Sequence, residues 1–212
     1  MIALRQAKGV KGITAVHVFL ETDRLILRRF TADDVDNLVA LDGDPAVMRY
    51  ITGGPPTPRE TLEHDHLPYY LEYYERYVGY GFWAAIEKTA GDFLGWFHFR
   101  PYEGAPEDEP ELGYRLRRSA WGIGYATEGS RALIHKGFTE LGVQRVVAFT
   151  YGEHTASRRV MEKAGMKLVR TFRLTPEQLQ EYLGVTDPSL FDGDDVEYAI
   201  TRAEWDAQQA EP

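Results

Sequence analysis

The chain has 212 residues, 43% of them hydrophobic, with 33 acidic against 24 basic side chains and a net charge of −9. That balance argues against general nucleic-acid affinity and mildly favours a cationic substrate. The absence of cysteine excludes a disulfide framework and a cysteine nucleophile, and the six histidines form no metal-spaced cluster, so no metal is expected.

Arg5, Lys8 and Lys11 precede a short apolar stretch from Ile13 to Leu20, which lacks the cleavage pattern of a signal peptide. Residues 1–20 therefore read as an extension, and 21–212 as a single domain large enough for one core. No apolar run approaches the ~20 residues that span a bilayer, so a cytoplasmic protein without membrane contact is expected.

Segments rich in β-branched and aromatic residues predict strands at 24–30 (RLILRRF), 82–88 (FWAAIEK), 93–99 (FLGWFHF), 111–116 (ELGYRL), 145–150 (RVVAFT), 166–172 (MKLVRTF) and 196–201 (VEYAIT). Four helix starts carry a capping hydroxyl three residues ahead of a side chain able to reach back: Thr31 with Asp34, Thr57 with Glu60, Thr175 with Gln178 and Thr201 with Glu204. A helix from Tyr125 to Leu141 carries Leu133, Ile134, Phe138 and Leu141 on one face, and a shorter one after His154 stops at Gly165. This order implies an α/β fold, a mixed sheet flanked by helices.

Between the strand ending at Leu116 and the helix from Tyr125 lies Trp121-Gly122-Ile123-Gly124-Tyr125-Ala126. Two glycines there let main-chain N–H groups converge where the first turn of a helix lacks internal acceptors, which is a phosphate cradle. A nucleoside-triphosphate loop, Gly-x-x-x-x-Gly-Lys-Ser/Thr, occurs nowhere, and a dinucleotide turn fits poorly because Thr127 and Gln144 fall where a small residue and an acid belong. Alone, the same pattern also suits a purely structural turn.

The pieces ELGYRL, WGIGYATEG and Ser157-x-x-x-x-Glu162-Lys163-x-Gly165, in that order, resemble the GNAT superfamily of acetyl-CoA-dependent N-acetyltransferases. ETDRLILRRFTADDVDNL near the front and DDVEYAITRAEW near the end extend the resemblance to the branch that acetylates the N-termini of ribosomal proteins, over residues ~21 to 207. It implies a seven-stranded mixed sheet whose fourth and fifth strands, Glu111–Leu116 and Arg145–Thr150, are parallel and splay to admit the pantetheine arm. Main-chain amides of Trp121, Gly122, Ile123, Gly124, Tyr125 and Ala126 would hold the diphosphate of acetyl-CoA. Arg117 and Arg118 would add charge, with Arg131 a weaker candidate.

The resemblance also implies direct attack of a neutral primary amine on the thioester, through a tetrahedral intermediate. Glu111 is the candidate base and Ser157 the group that stabilises the departing thiolate, while His154 is a candidate base, acid or cofactor contact. Three positions depart from the family pattern: Ser119 stands where Gln or Arg opens the loop, His154 replaces an Asn, and Met161 replaces the tyrosine many relatives use as acid. Those departures leave open a catalytically silent acyl-CoA-binding module. The acceptor is a peptide N-terminus or a small amine, and its pocket is expected from Thr57–Tyr77, Pro101–Pro110 and Leu174–Asp195. The tyrosines Tyr69, Tyr70, Tyr73, Tyr74, Tyr77 and Tyr80 suit either a pocket wall or core packing, and a homodimer is a possible assembly.

Overall fold

The computed structural model describes residues 17–102, 104–175, 177–179 and 192–210. Most of the amino-terminal extension, Glu103, and most of the stretch between Thr175 and Asp192 lie outside the described residues.

The chain forms an eight-stranded sheet in the order β1-β2-β3-β4-β5-β6-β8-β7. The strands are β1 (Val18–Glu21), β2 (Leu25–Arg29), β3 (Gly81–Glu87), β4 (Phe93–Pro101), β5 (Pro110–Leu116), β6 (Arg145–Tyr151), β7 (Lys167–Phe172) and β8 (Asp195–Thr201). All neighbours are antiparallel except β5 and β6. The seven expected strands all form; the eighth, β1, is a half-exposed edge strand built partly from residues assigned to the extension. Its four residues, VFLE, are too short to carry an alternation signal of their own.

Strand alternation sends side chains to opposite faces, and each face has its own core. On one, α1 (Val35–Asp42), α2 (Pro45–Met48) and a helical segment composed of α3 (Arg59–Thr61), a π-helical turn (Leu62–His66) and α4 (Leu67–Arg76) cover Phe30, Phe82, Ala84 and Trp96. On the other, α5 (Tyr125–Glu140) and α6 (Thr155–Lys163) cover Phe97, Phe99, Leu112 and Leu116. Leu133, Ile134 and Phe138 of α5 are buried there, as their spacing implied. A helix α7 (Arg202–Ala210) follows β8.

Three of the four expected caps form. Thr31 and Asp34 make a reciprocal box, Thr175 and Gln178 bond each other's main-chain N–H, and so do Thr201 and Glu204. The fourth does not: Pro58 occupies the cap position of α3, and the Thr57 hydroxyl donates instead to Asp42 Oδ2 at 2.8 Å. Gly165 ends α6 as expected, with Met166 N–H bonding Met161 O and Gly165 N–H bonding Glu162 O.

The six tyrosines divide as burial dictates. Tyr70 and Tyr73 are buried in the core under α4, Tyr70 stacking on Phe82 at 4.0 Å; Tyr74 is buried in the other core, against Trp83, whereas Tyr69 is exposed. Core packing thus accounts for the helically spaced members.

Candidate active site: a splayed pair of parallel strands and a glycine turn

Strands β5 and β6 are joined at one ladder position, Glu111 opposite Val147. Downstream they part, and among the described residues no further ladder pair connects them. The main-chain groups of β5 that face this opening therefore need partners from elsewhere, which suits an amide-bearing ligand arm.

At the end of β5, Arg117 N–H bonds Leu94 O, a single 3₁₀ turn (Arg118–Ala120) follows, and the indole N–H of Trp121 donates to Leu116 O at 2.7 Å. Gly122 and Gly124 then take φ of 73° and 98°, the left-handed region that other residues enter at a cost. A Cβ on Gly122 would meet nothing within 4 Å, so glycine is needed there for conformation and not for space. The first bond back onto Gly124 is from Glu128 N–H, which leaves the amides of residues 125–127 without acceptors inside α5. Trp121 and Ile123 flank this turn with about half their surface exposed.

The turn is braced from 99 to 106 residues upstream in sequence. Glu128 Oε1 accepts from the Thr22 hydroxyl (2.6 Å) and Arg24 N–H (3.0 Å), and its Oε2 accepts from Arg24 Nε (2.6 Å). Arg24 also donates from Nη1 to Ile123 O at 3.2 Å and lies 4.7 Å over the Tyr125 ring. Burial raises the Glu128 carboxyl, but the bonds from Thr22 and Arg24 outweigh it and hold the group below the usual carboxylate range. Sequence reasoning missed this clamp, since Thr22, Arg24 and Glu128 form no local pattern. Arg117 stands at the start of the turn and Arg118 is exposed beside it, but Arg131 points elsewhere, its guanidinium donating to Lys163 O at the end of α6.

Alternation along β5 separates the candidate groups. Glu111 faces the α1–α4 side, where Arg100 is its ladder partner and His98 lies opposite Gly113. His98 Nε2 is 3.5 Å from Glu111 Oε1, and Arg100 Nη2 is 3.6 Å from Oε2. A Cβ on Gly113 would come within 2.3 Å of His98 Nε2, so the glycine of ELGYRL makes room for that imidazole. Burial pushes His98 below its usual range, against the pull of Glu111. For Glu111, burial raises the carboxyl, but the charge and hydrogen bond of His98, and then the charge of Arg100, bring it below the ordinary carboxylate value. On the same face, Arg115 Nη1 grips both oxygens of the buried Asp42 at 2.7 Å, tying β5 to α1, and its guanidinium lies 5.0 Å over Trp96.

Tyr114 projects to the other face, beside Phe97 and against α6. Its hydroxyl lies 3.0 Å from the main-chain oxygen and 3.0 Å from the Oγ of Ser157, which is buried in the first turn of α6. Met161, a turn later, is buried in the core. His154 precedes α6 and stacks on Tyr50 at 4.3 Å; burial, then the neighbouring Arg49, lowers its pKa to about 4, so it is uncharged at neutral pH. The structure thus sets Glu111 on one face of β5 and Ser157 against Tyr114 on the other, while His154 stacks on Tyr50, just past the end of α2.

Residues 24–167 match the family model described as an acetyltransferase (GNAT) domain. The chain belongs to the GNAT acetyltransferases. FsC-acetyl coenzyme A-N(2)-transacetylase of Aspergillus fumigatus is 31% identical over 192 residues, covering 88% of this chain and 77% of the relative. A GNAT acetyltransferase from Bacillus anthracis superposes with a TM-score of 0.67 at 26% identity, covering 86% of this chain and 98% of that one. The ribosomal L7/L12 alpha-N-protein acetyltransferase RimL, solved with coenzyme A, shares the fold with a TM-score of 0.68 at 20% identity, covering 87% and 98%.

As a GNAT acetyltransferase, this chain is an acetyl-CoA-dependent N-acetyltransferase, and the splayed strands, fourth and fifth in the sequence-based numbering, are β5 and β6. The glycine turn leaves the amides of residues 125–127 without acceptors inside α5, and Arg117 and Arg118 stand at its flank, a donor set of the kind an anionic group takes. The silent-module reading is not favoured. Among the described residues no group of acidic or histidine side chains could hold a metal, and no helix is long and apolar enough to cross a membrane.

Proposed function

We propose that the amides of residues 121–126, with Arg117, hold the diphosphate of acetyl-CoA, and that Glu111 receives the proton of the attacking amine through a water. The observation that carries this reading is the position of Glu111: it is half-buried where β5 and β6 begin to part, its carboxyl held low by His98 and Arg100, on the face opposite α5 and α6. A donor bound along the turn and an acceptor arriving beneath α1–α4 then meet from two sides of one sheet. Most alkyl amines are protonated at neutral pH, so a nearby carboxylate that stays ionised is the group this reaction needs. Ser157 donates a hydrogen bond to the leaving sulfur. His154, neutral and stacked on Tyr50, forms part of the wall.

The acceptor in this reading is a peptide or protein N-terminus, supported by the motifs shared with the ribosomal-protein branch and by the fold of RimL. A second reading, a non-protein primary amine, is favoured by the Aspergillus fumigatus relative, whose name specifies an N(2) nitrogen and no protein. The protein acts in the cytoplasm. Thiol release from acetyl-CoA, measured with short peptides and with diamines, separates the two. Faster release with peptides, lost when their N-termini are blocked, is the expected result; release with diamines alone supports the second reading.

A further inference from the structure

Resting on the assignment of Ser157 to the thiolate side of the reaction, we infer that Tyr114 is the positioning residue that turns the Ser157 hydroxyl toward the departing sulfur. Met161 occupies the place where many relatives carry a phenol, and it has no proton to offer. In this chain a phenol reaches Ser157 from the facing wall instead, out of β5 and across the opening.

The geometry gives Tyr114 a choice of acceptor. Its hydroxyl stands 3.0 Å from both oxygens of Ser157, and in the contact with Oγ either hydroxyl can donate. When Tyr114 donates to the main-chain oxygen, the Ser157 hydrogen is drawn toward the phenol. When Tyr114 donates to Oγ, the Ser157 hydrogen is released and can point into the cleft. A negative charge growing on sulfur favours the second arrangement, because donation into Oγ strengthens the bond that Ser157 makes in turn.

Burial raises the Tyr114 hydroxyl well above its usual range, more than the bond with Ser157 lowers it, so it keeps its proton at working pH. Tyr114 therefore orients and polarises without ionising. In the step, the amine nitrogen bonds to the acyl carbon and gives its proton through a water to Glu111, the carbon–sulfur bond breaks with its electron pair on sulfur, and the thiolate leaves in the bond donated by Ser157.

Alternation explains the placement. Glu111 and Tyr114 are three residues apart on one strand and so face opposite sides, the proton-accepting group toward the acceptor and the thiolate-stabilising pair toward α6.

The test is the ionisation of bound CoA, read by the ultraviolet absorbance of its thiolate as pH is raised. The chain contributes no thiol of its own, having no cysteine. In the parent protein the bound thiol is expected to ionise at lower pH than free CoA. Ser157→Ala should return it to the free value, Tyr114→Phe should move it part of the way, and the double variant should go no further than Ser157→Ala. In parallel, Tyr114→Phe should lower kcat about tenfold with an unchanged KM for acetyl-CoA, the effect of losing one bond that supports a developing charge. An unshifted thiol or an unchanged kcat in Tyr114→Phe overturns the inference while leaving the cofactor site standing. Failure of the parent chain to bind CoA overturns both.

Discussion

Arg24 and Glu128 are 104 residues apart in sequence and meet in a two-point clamp, the guanidinium donating from Nε at 2.6 Å while Nη2 sits 2.5 Å from the same carboxylate oxygen. Glu128 belongs to the first turn of α5, so this pair fixes the helix start that presents the glycine turn. It also neutralises an acid that would otherwise stand uncompensated beside the turn proposed to hold the diphosphate.

Arg24→Ala is accordingly expected to weaken CoA binding about tenfold by exposing the Glu128 charge and freeing the Ile123 carbonyl. Because Arg24 is two-fifths exposed, global stability should change by only ~1 kcal/mol. Adding Glu128→Gln to Arg24→Ala should recover most of the lost affinity. Calorimetric titration with CoA checks both; equal affinity in Arg24→Ala and the parent would refute the clamp's role.

Glu111→Gln should lower kcat by roughly a hundredfold while leaving CoA affinity unchanged. The sign of the pH effect follows from His98 and Arg100. They hold the Glu111 carboxyl low, so its limb of the pH–rate profile should lie below the ordinary glutamate value. Arg100→Met removes one of the groups that favour the ionised form and should move that limb to higher pH. A limb that stays in place would show that Glu111 is not the titrating group.

His154 should contribute no limb near neutrality, since its pKa is lowered to about 4. His154→Asn should thus leave the shape of the pH–rate profile above pH 5 the same, whatever it does to the rate. Loss of a limb near the usual histidine value in this variant would assign His154 an acid or base role.

Asp34 offers a stability test away from the site. It accepts two bonds from Arg28, at 2.7 and 2.8 Å, and one from Thr31 N–H. Burial raises its carboxyl, but these partners prevail and depress it. A carboxylate depressed in the folded state contributes stability above its unfolded pKa of ~3.9, and that contribution is lost as pH falls through the folded value. Asp34→Ala should cost about 3 kcal/mol at neutral pH by leaving Arg28 unpaired, with the gap to the parent narrowing in acid. Denaturant titrations at neutral and acidic pH measure it.

The legible parts of this chain are those whose local structure one short segment dictates. The glycine turn, the stop at Gly165 and the stripe on α5 each declare themselves within a dozen residues. What stayed hidden depends on partners distant in sequence: the Thr22–Arg24–Glu128 clamp, the Asp42–Arg115 pair that diverts Thr57 from capping, and the Tyr114–Ser157 contact. Tyr114 is half visible, because it sits in the ELGYRL segment and alternation places it opposite Glu111, but only the position of α6 shows what its hydroxyl touches. His98 beneath Gly113 explains that motif's glycine, a close approach no linear pattern announces.

The most direct test of the account is calorimetric titration of CoA into the parent protein and into Gly122→Val/Gly124→Val, with circular dichroism to establish that both are folded. The account predicts binding by the parent and a loss of at least ~100-fold in the variant, because valine excludes the left-handed turn on which the amides converge. Equal affinity in a folded variant would contradict it.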